Sequence, residues 1–201
     1  MKKTLKLVVI AMAVVAMGGV TTSCSEDSPL LNIIRNLFNP GETYEYTGSA
    51  TSQTSNIVIQ DNKYAIGTAV NAKTENPEGA YVFSSMPVSL TTQNNVATIT
   101  LPVYEEGVVK VSQLSMGNLT LTTNDEQTNT VLGIGDDGFT RSGTLTYNGK
   151  EYVFESLWIN KANATTTSLE LDLQLYFKAS DESDYSLILC FTYQGTREAT
   201  E

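Results

Sequence analysis

One cysteine stands where covalent chemistry is expected. Cys24 follows a basic start over residues 1–6, an apolar run from Leu7 to Val20, and the small residues 21–23. This order is typical of a secretory signal peptide, and the run is shorter than the roughly 20 apolar residues that a membrane-spanning helix needs. We therefore expect residues 1–23 to be a signal peptide whose cleavage leaves Cys24 as a new N-terminus ready for lipidation.

The second cysteine has a different setting. Cys190 lies in the apolar segment Leu187–Phe191, where burial raises a thiol pKa and makes the thiol inert. The chain contains no histidine, so a catalytic thiol or serine would lack its usual base. We expect Cys190 to be a core residue.

A glycine-rich segment over residues 133–138 matches the pattern G-x-G-x-x-G. A dinucleotide loop needs a helix after it, but a strand-like segment follows here, and Asp136 and Asp137 would repel a pyrophosphate. The two aspartates, with residues 124–126, offer oxygen ligands for calcium but lack the spacing of an EF-hand. The segment is therefore predicted to be a solvated turn, with no metal site.

Two carboxylate pairs were considered for glycoside hydrolysis, at Glu105-Glu106 and Asp181-Glu182. That reaction needs two carboxyl groups that face each other across a cleft, whereas adjacent residues in polar turns are usually solvated. The sequence thus predicts no catalytic residue and no cofactor, and we expect the protein not to be an enzyme.

Charge limits the classes of partner. The full chain has 12 basic and 22 acidic residues, and removal of residues 1–23 takes away three lysines and no acid, leaving a net charge of −13. Such a charge disfavours nucleic acid and electrostatic adhesion to anionic lipid. We therefore expect attachment to the membrane through N-terminal acyl chains.

The rest of the chain is rich in strand patterns. Residues 169–177 alternate strictly between apolar and polar, which predicts a strand with one buried face, and Asn148-Gly149 is a strong hairpin signal. Weaker hairpins are predicted at residues 61–62 and 94–95, and a polar turn at residues 178–184. Further strands are predicted at 44–50, 56–60, 64–70, 88–92, 96–101, 108–113, 118–122, 145–147, 152–154 and 187–193.

One helix precedes the strands. Ser28 can cap it, Pro29 suits its first turn, and apolar residues recur with helical spacing up to Phe38. We expect this helix to cover an open end or edge of the sheet; an interfacial helix beside the lipid anchor is the alternative.

Short turns between neighbouring strands predict an antiparallel sheet. We expect an all-β fold: an up-and-down barrel with a short N-terminal helix, with a β-sandwich as the alternative. Residues 29–201 would form this single domain, and residues 24–28 a lipidated tether.

The segment Thr22-Ser23-Cys24 resembles the bacterial lipoprotein signal in the form common in Bacteroidetes, although Thr21 stands where leucine is typical. The resemblance implies cleavage before Cys24 and lipidation of that residue. Ser25, Glu26 and Asp27 resemble the acidic tract that directs such lipoproteins to the outer face of the outer membrane. We therefore expect an outer-membrane lipoprotein, displayed on the cell surface or otherwise facing the periplasm.

The length, the lipoprotein signal and the Tyr- and Thr-rich strands resemble those of calycin-like (lipocalin-like) lipoproteins of gut Bacteroidetes. The Gly-x-Trp of lipocalins is absent, since the only tryptophan is Trp158. The resemblance implies a barrel that binds a small apolar or amphipathic molecule in its mouth. A surface module that binds a glycan or protein, or a fimbrial-type subunit, is the alternative.

The tyrosines could serve either the core or a ligand: Tyr44, Tyr46, Tyr64, Tyr81, Tyr104, Tyr147, Tyr152, Tyr176, Tyr185 and Tyr193.

We predict that Cys24→Ala abolishes incorporation of an alkyne-tagged fatty acid and moves the protein out of the detergent phase on phase separation, because the acyl chains provide the membrane attachment. Cys190→Ala is the matched control and should label like the wild type. Equal labelling of Cys24→Ala and wild type would contradict the lipidation assignment.

Overall fold

The computed structural model describes residues 38, 41–60, 63–69, 80–93, 96–123 and 130–198. Three predicted segments lie outside these ranges: the signal peptide, the tether with Cys24, Ser25, Glu26 and Asp27, and all but the last residue of the helix.

The described residues form thirteen strands: β1 (Thr43–Gln60), β2 (Lys63–Ala69), β3 (Ala80–Gln93), β4 (Val96–Leu101), β5 (Tyr104–Glu106), β6 (Val109–Val111), β7 (Leu114–Thr123), β8 (Thr130–Ile134), β9 (Thr140–Ser142), β10 (Thr144–Tyr147), β11 (Lys150–Ala164), β12 (Ser168–Lys178) and β13 (Leu187–Thr196).

Eight of these strands close into a ring, in the order β1, β3, β4, β7, β8, β11, β12, β13. Each is antiparallel to the next, and β13 returns to pair with residues 47–56 of β1. Because the order around the ring follows the order along the chain, this is an up-and-down barrel. The predicted fold class is confirmed, and a barrel forms rather than a sandwich.

Alternation along the strands separates the interior from the surface. In β12, Leu169, Leu171, Leu173, Leu175 and Phe177 are all buried, while the residues between them are partly exposed. An eight-stranded ring is just wide enough for side chains to fill. Buried side chains contributed by all eight strands pack in one core cluster, so side chains occupy the described interior.

Several predicted strand boundaries were wrong. Residues 44–50 and 56–60 belong to one strand, β1, because Ser52, Thr54 and Ser55 between them are polar yet buried. The strand predicted at residues 88–92 is the end of the longer β3. The short strands β5, β8 and β9 lacked a clear alternating pattern and were not predicted.

The predicted turn at Asn148-Gly149 is confirmed. Tyr147 pairs with Lys150, and both turn residues have positive φ, 48° for Asn148 and 77° for Gly149. A two-residue type I′ turn requires this backbone conformation at both positions, and Asn-Gly supplies it at low cost. The turn joins β10 to the start of β11.

One end of the barrel is closed by the hairpin β5–β6, which is inserted between β4 and β7. Its Tyr104 hydroxyl hydrogen-bonds the Ser52 hydroxyl of β1 at 2.5 Å, and the Tyr104 ring packs edge-on against Phe83. The other strand of the hairpin, β6, pairs with β10. The hairpin thereby links opposite parts of the ring across its end.

At the other end, the Tyr46 hydroxyl donates a hydrogen bond of 2.6 Å to the carbonyl of Thr165. Phe38 packs edge-on against Tyr44, and the Arg197 guanidinium lies 4.9 Å from the centre of the Tyr44 ring. The last residue of the predicted helix therefore contacts the end of the barrel where β1 begins.

Buried tyrosines make the fold sensitive to alkali. Burial raises the pKa of Tyr193 to about 12, and burial also raises the pKa of Tyr46 and Tyr104. Tyrosine in an unfolded chain ionises near pH 10, so above that pH the unfolded state releases protons that the native state keeps. The free energy of unfolding must then fall as pH rises, by up to about 1.4 kcal/mol per pH unit for each tyrosine.

We predict that the urea midpoint is level from pH 8 to about pH 9.5 and falls steeply between pH 10 and pH 12. Tyr193→Phe should make this fall shallower. A midpoint that does not change up to pH 12 would contradict the burial of these hydroxyl groups.

Candidate functional site

The barrel wall has a seam between β8 and β11. Among the described residues, the two strands pair only at Val131 with Asn163 and at Thr130 with Ala164. Pairing along this edge of β11 resumes where the Phe154 amide donates a 3.1 Å hydrogen bond to the Gly143 carbonyl. Within residues 155–162, β11 pairs with β12 at every position except Glu155 and Asn160, whereas none of these residues has a ladder partner on the seam side in this part of the chain.

Two bulges in β11 account for the seam. The register with β12 shifts between Phe154 and Ser156, and again between Ile159 and Lys161. A bulge bends its strand and increases the local twist. The bulges at Glu155 and Asn160 both lie within residues 155–162, the stretch over which β11 leaves β8.

On the opposite side of the seam, β8 ends at Ile134 and the chain turns away. The Gly138 amide donates to the Gly135 carbonyl at 3.0 Å, and the Asn118 side chain donates to the Gly138 carbonyl at 3.0 Å. Asn118 and Gly138 both have positive φ. The glycine-rich segment is therefore a turn, as the sequence predicted, and it forms one end of the seam.

Side chains close the seam near Phe154 and Glu155 of β11. The Arg141 guanidinium of β9 binds the Glu155 carboxylate at 2.6 Å, and Phe139 contacts Phe154 at a ring-centre distance of 6.1 Å. Because this ion pair is half-exposed, it orients the two strands more than it stabilises them. The opening is thereby confined to the part of β11 that follows Glu155.

The seam forms a cleft of about 400 Å³. Buried Leu132 and Leu157 lie at its floor, while Ile134 and Trp158 are 43% and 63% exposed at its sides. Asn160, Lys161 and Asn163 add polar groups to the lining. A mostly apolar concavity with a few polar groups is the usual character of a small-ligand site.

Within the acidic pairs Glu105-Glu106 and Asp181-Glu182, three residues lie in surface ion pairs. Glu105 contacts Lys110 at 3.3 Å, and Asp181 and Glu182 contact Lys150 at 3.6 and 2.7 Å. The Lys150 contact lowers the pKa of the Glu182 carboxyl, so this group remains ionised. These pairs do not face one another across the cleft.

Asp136 and Asp137 are exposed on the glycine-rich turn. No group of three or more His, Cys, Asp or Glu side chains with a metal-binding arrangement occurs among the described residues. Residues 124–126, the other half of the calcium hypothesis, lie outside the described ranges. Nor do those ranges include a helix that is long and apolar enough to cross a membrane.

Cys190 is partly buried on β13. Burial and, secondarily, the nearby Asp172 carboxylate raise the pKa of its thiol, which disfavours the reactive thiolate.

Five of the tyrosines are buried, which assigns them to the core: Tyr44, Tyr46, Tyr81, Tyr104 and Tyr193. Among the side chains that the structure describes, the exposed aromatic one is instead Trp158, whose surroundings were not foreseen from the sequence.

The fold and the cleft define the described residues as an eight-stranded antiparallel barrel, compatible with a calycin-like fold, whose concavity lies in the wall. No protein-family model matches the chain, and searches of curated proteins and solved structures give no significant match. The function must therefore be argued from the chemistry of the cleft.

We predict that Trp158→Ala changes the free energy of unfolding by less than about 1 kcal/mol, because its side chain is mostly exposed. The adjacent change Leu157→Ala should cost roughly 2–5 kcal/mol, because Leu157 is only 6% exposed. Urea unfolding followed by circular dichroism measures both. Equal costs would show that Trp158 is a core residue and not part of a binding surface.

Proposed function

We propose that this protein is a lipid-anchored cell-envelope protein that binds a small amphipathic molecule in the cleft between β8 and β11. The observation that carries the proposal is Trp158, a large apolar side chain left 63% exposed beside an apolar concavity. Covering about 100 Å² of this surface would contribute on the order of 2–3 kcal/mol to binding.

The cleft, and not the mouth of the barrel, is the site in this proposal. Side chains of the core cluster occupy the interior, and the β5–β6 hairpin closes one end through the Tyr104–Ser52 hydrogen bond. A ligand inside would have to displace well-packed core residues, at a cost of several kcal/mol. The seam needs no such displacement, because Ile134 and Trp158 are already exposed.

Membrane attachment and location are proposed from the sequence. Cys24 supplies the acylation site, and Ser25, Glu26 and Asp27 support display on the outer face of the outer membrane. Phe38 contacts the Tyr44 ring at the end of the barrel where β1 begins.

The alternative is a surface module that binds a glycan or a protein. Its fimbrial-type version depends on strand exchange at an open sheet edge, and every strand of the ring pairs with a neighbour on both sides. The exposed aromatic and amide groups of the cleft support the glycan version better than the fimbrial one. We also propose a binding rather than a catalytic role, since Glu105, Asp181 and Glu182 form surface ion pairs.

Trp158 provides the test, because it is the only tryptophan of the chain. We predict that 1-octanol and the neutral probe N-phenyl-1-naphthylamine change the tryptophan emission of the acylated protein in phosphatidylcholine vesicles, with saturation. Thr100→Ala on β4, at the far side of the ring, should leave the apparent Kd unchanged.

Ile134→Asn keeps the reporter but places a polar group in the cleft, and it should weaken binding about tenfold through lost apolar contact. Protein-free vesicles provide the blank. Absence of a saturable change, or equal affinity of Ile134→Asn and wild type, would refute binding at the seam.

A further inference from the structure

The outer surface beside the seam carries rows of aligned polar side chains. Across β1 and β13, Ser49 pairs with Gln194 and Thr51 pairs with Thr192. Across β12 and β11, Gln174 pairs with Trp158. All six side chains are at least partly exposed, because buried residues alternate with them along each strand. Between β13 and β11, strand β12 contributes the carboxylates of Asp172, which pairs with Thr192, and Glu170, which pairs with Gln194. Hydroxyl, amide and carboxylate groups therefore cover the surface from β1 to β11.

This surface is concave and continuous with the seam. A second cleft of about 360 Å³ is lined by Ser49, Thr51, Thr192 and Gln194. Lys161 lines both this cleft and the cleft at the seam. One elongated ligand could therefore occupy the two concavities together.

The charges at this surface disfavour an anionic ligand. The Lys161 ammonium group binds the Glu170 carboxylate at 2.5 Å, and the Asn160 amide donates to the Asp172 carboxylate at 3.2 Å. Lys161 is thus already paired, and the whole chain carries a net charge of −10. The Asp172 carboxylate, which lines the second cleft, keeps its negative charge because the Asn160 amide is neutral. This carboxylate repels an anionic ligand and can accept hydrogen bonds from a neutral one.

The seam is also poorly suited to an added peptide strand. Strand addition needs a regular row of backbone groups, and the bulges at Glu155 and Asn160 interrupt that row on β11. Bulges are a common means of preventing edge-to-edge pairing. Recognition at this surface should therefore come from side chains.

We propose, building on the proposed function, that the ligand is a neutral oligosaccharide that lies across the outer surface from β1 to the seam. The apolar face of one sugar ring stacks on Trp158, since an aromatic side chain offers a rigid apolar surface. The hydroxyl groups of the following sugars exchange hydrogen bonds with Thr192 and Gln194. Neutral hydroxyl groups match the hydroxyl and amide groups of these rows.

The test is binding of the acylated full-length protein, in phosphatidylcholine vesicles, to an array of neutral oligosaccharides that includes maltohexaose, cellohexaose and xylohexaose. Hexagalacturonate is the anionic comparison. At least one neutral chain should bind, and hexagalacturonate should bind more weakly. For the sugar that binds, Trp158→Ala should weaken affinity tenfold or more, whereas Trp158→Phe should retain most of it.

The double variant Thr192→Ala/Gln194→Ala should weaken binding about three- to tenfold per lost hydrogen bond. Thr100→Ala, an outward residue on the far side of the ring, should bind like the wild type. If the double variant binds like the wild type, the ligand does not extend beyond the seam and the inference is wrong.

Failure of this inference differs from failure of the proposed function. If 1-octanol binds at Trp158 and no neutral sugar binds, the seam is an amphipathic-ligand site and the saccharide inference is overturned. If neither 1-octanol, N-phenyl-1-naphthylamine nor any sugar binds, both proposals fail. Equal or tighter binding of hexagalacturonate would overturn the requirement for a neutral chain.

Discussion

Pairing of the last strand with the first is the constraint on which the rest of this structure depends. Residues 187–196 of β13 align with residues 47–56 of β1, which closes eight strands into one ring. Closure fixes the interior volume, and side chains of alternating strand residues fill it. Glycine at position 48 permits this pairing, because a Cβ atom there would lie 1.9 Å from the Gln194 carbonyl oxygen.

Core side chains fill the described interior, so the proposed binding site lies on the exterior. Strand β11 pairs with β12 on both sides of each of its two bulges, so the ring stays closed where the wall opens. The cost is an unpaired stretch of strand edge, and the gain is a cleft bordered by Ile134 and Trp158. We propose that the same strand serves closure on one edge and recognition on the other.

The sequence was sufficient for the architecture and insufficient for the site. Strict alternation in β12 and the Asn148-Gly149 turn predicted an antiparallel barrel because each reflects a local backbone requirement. Strand β1 was predicted as two pieces, since Ser52 and Thr54 are polar but buried. The seam depends on register shifts between strands, which alternation along a single strand does not reveal directly. The one local signal was the run Leu157-Trp158-Ile159, which breaks the alternation of β11, as a bulged strand does.

Amide hydrogen exchange of β11 tests the central claim most directly. The account predicts that amides of residues 155–162 that point towards β8 exchange by local opening, well before the amides of β13 that pair with β1. The latter should exchange only on global unfolding. Uniformly strong protection along both edges of β11 would show that the wall is closed there, and it would contradict a binding cleft at the seam.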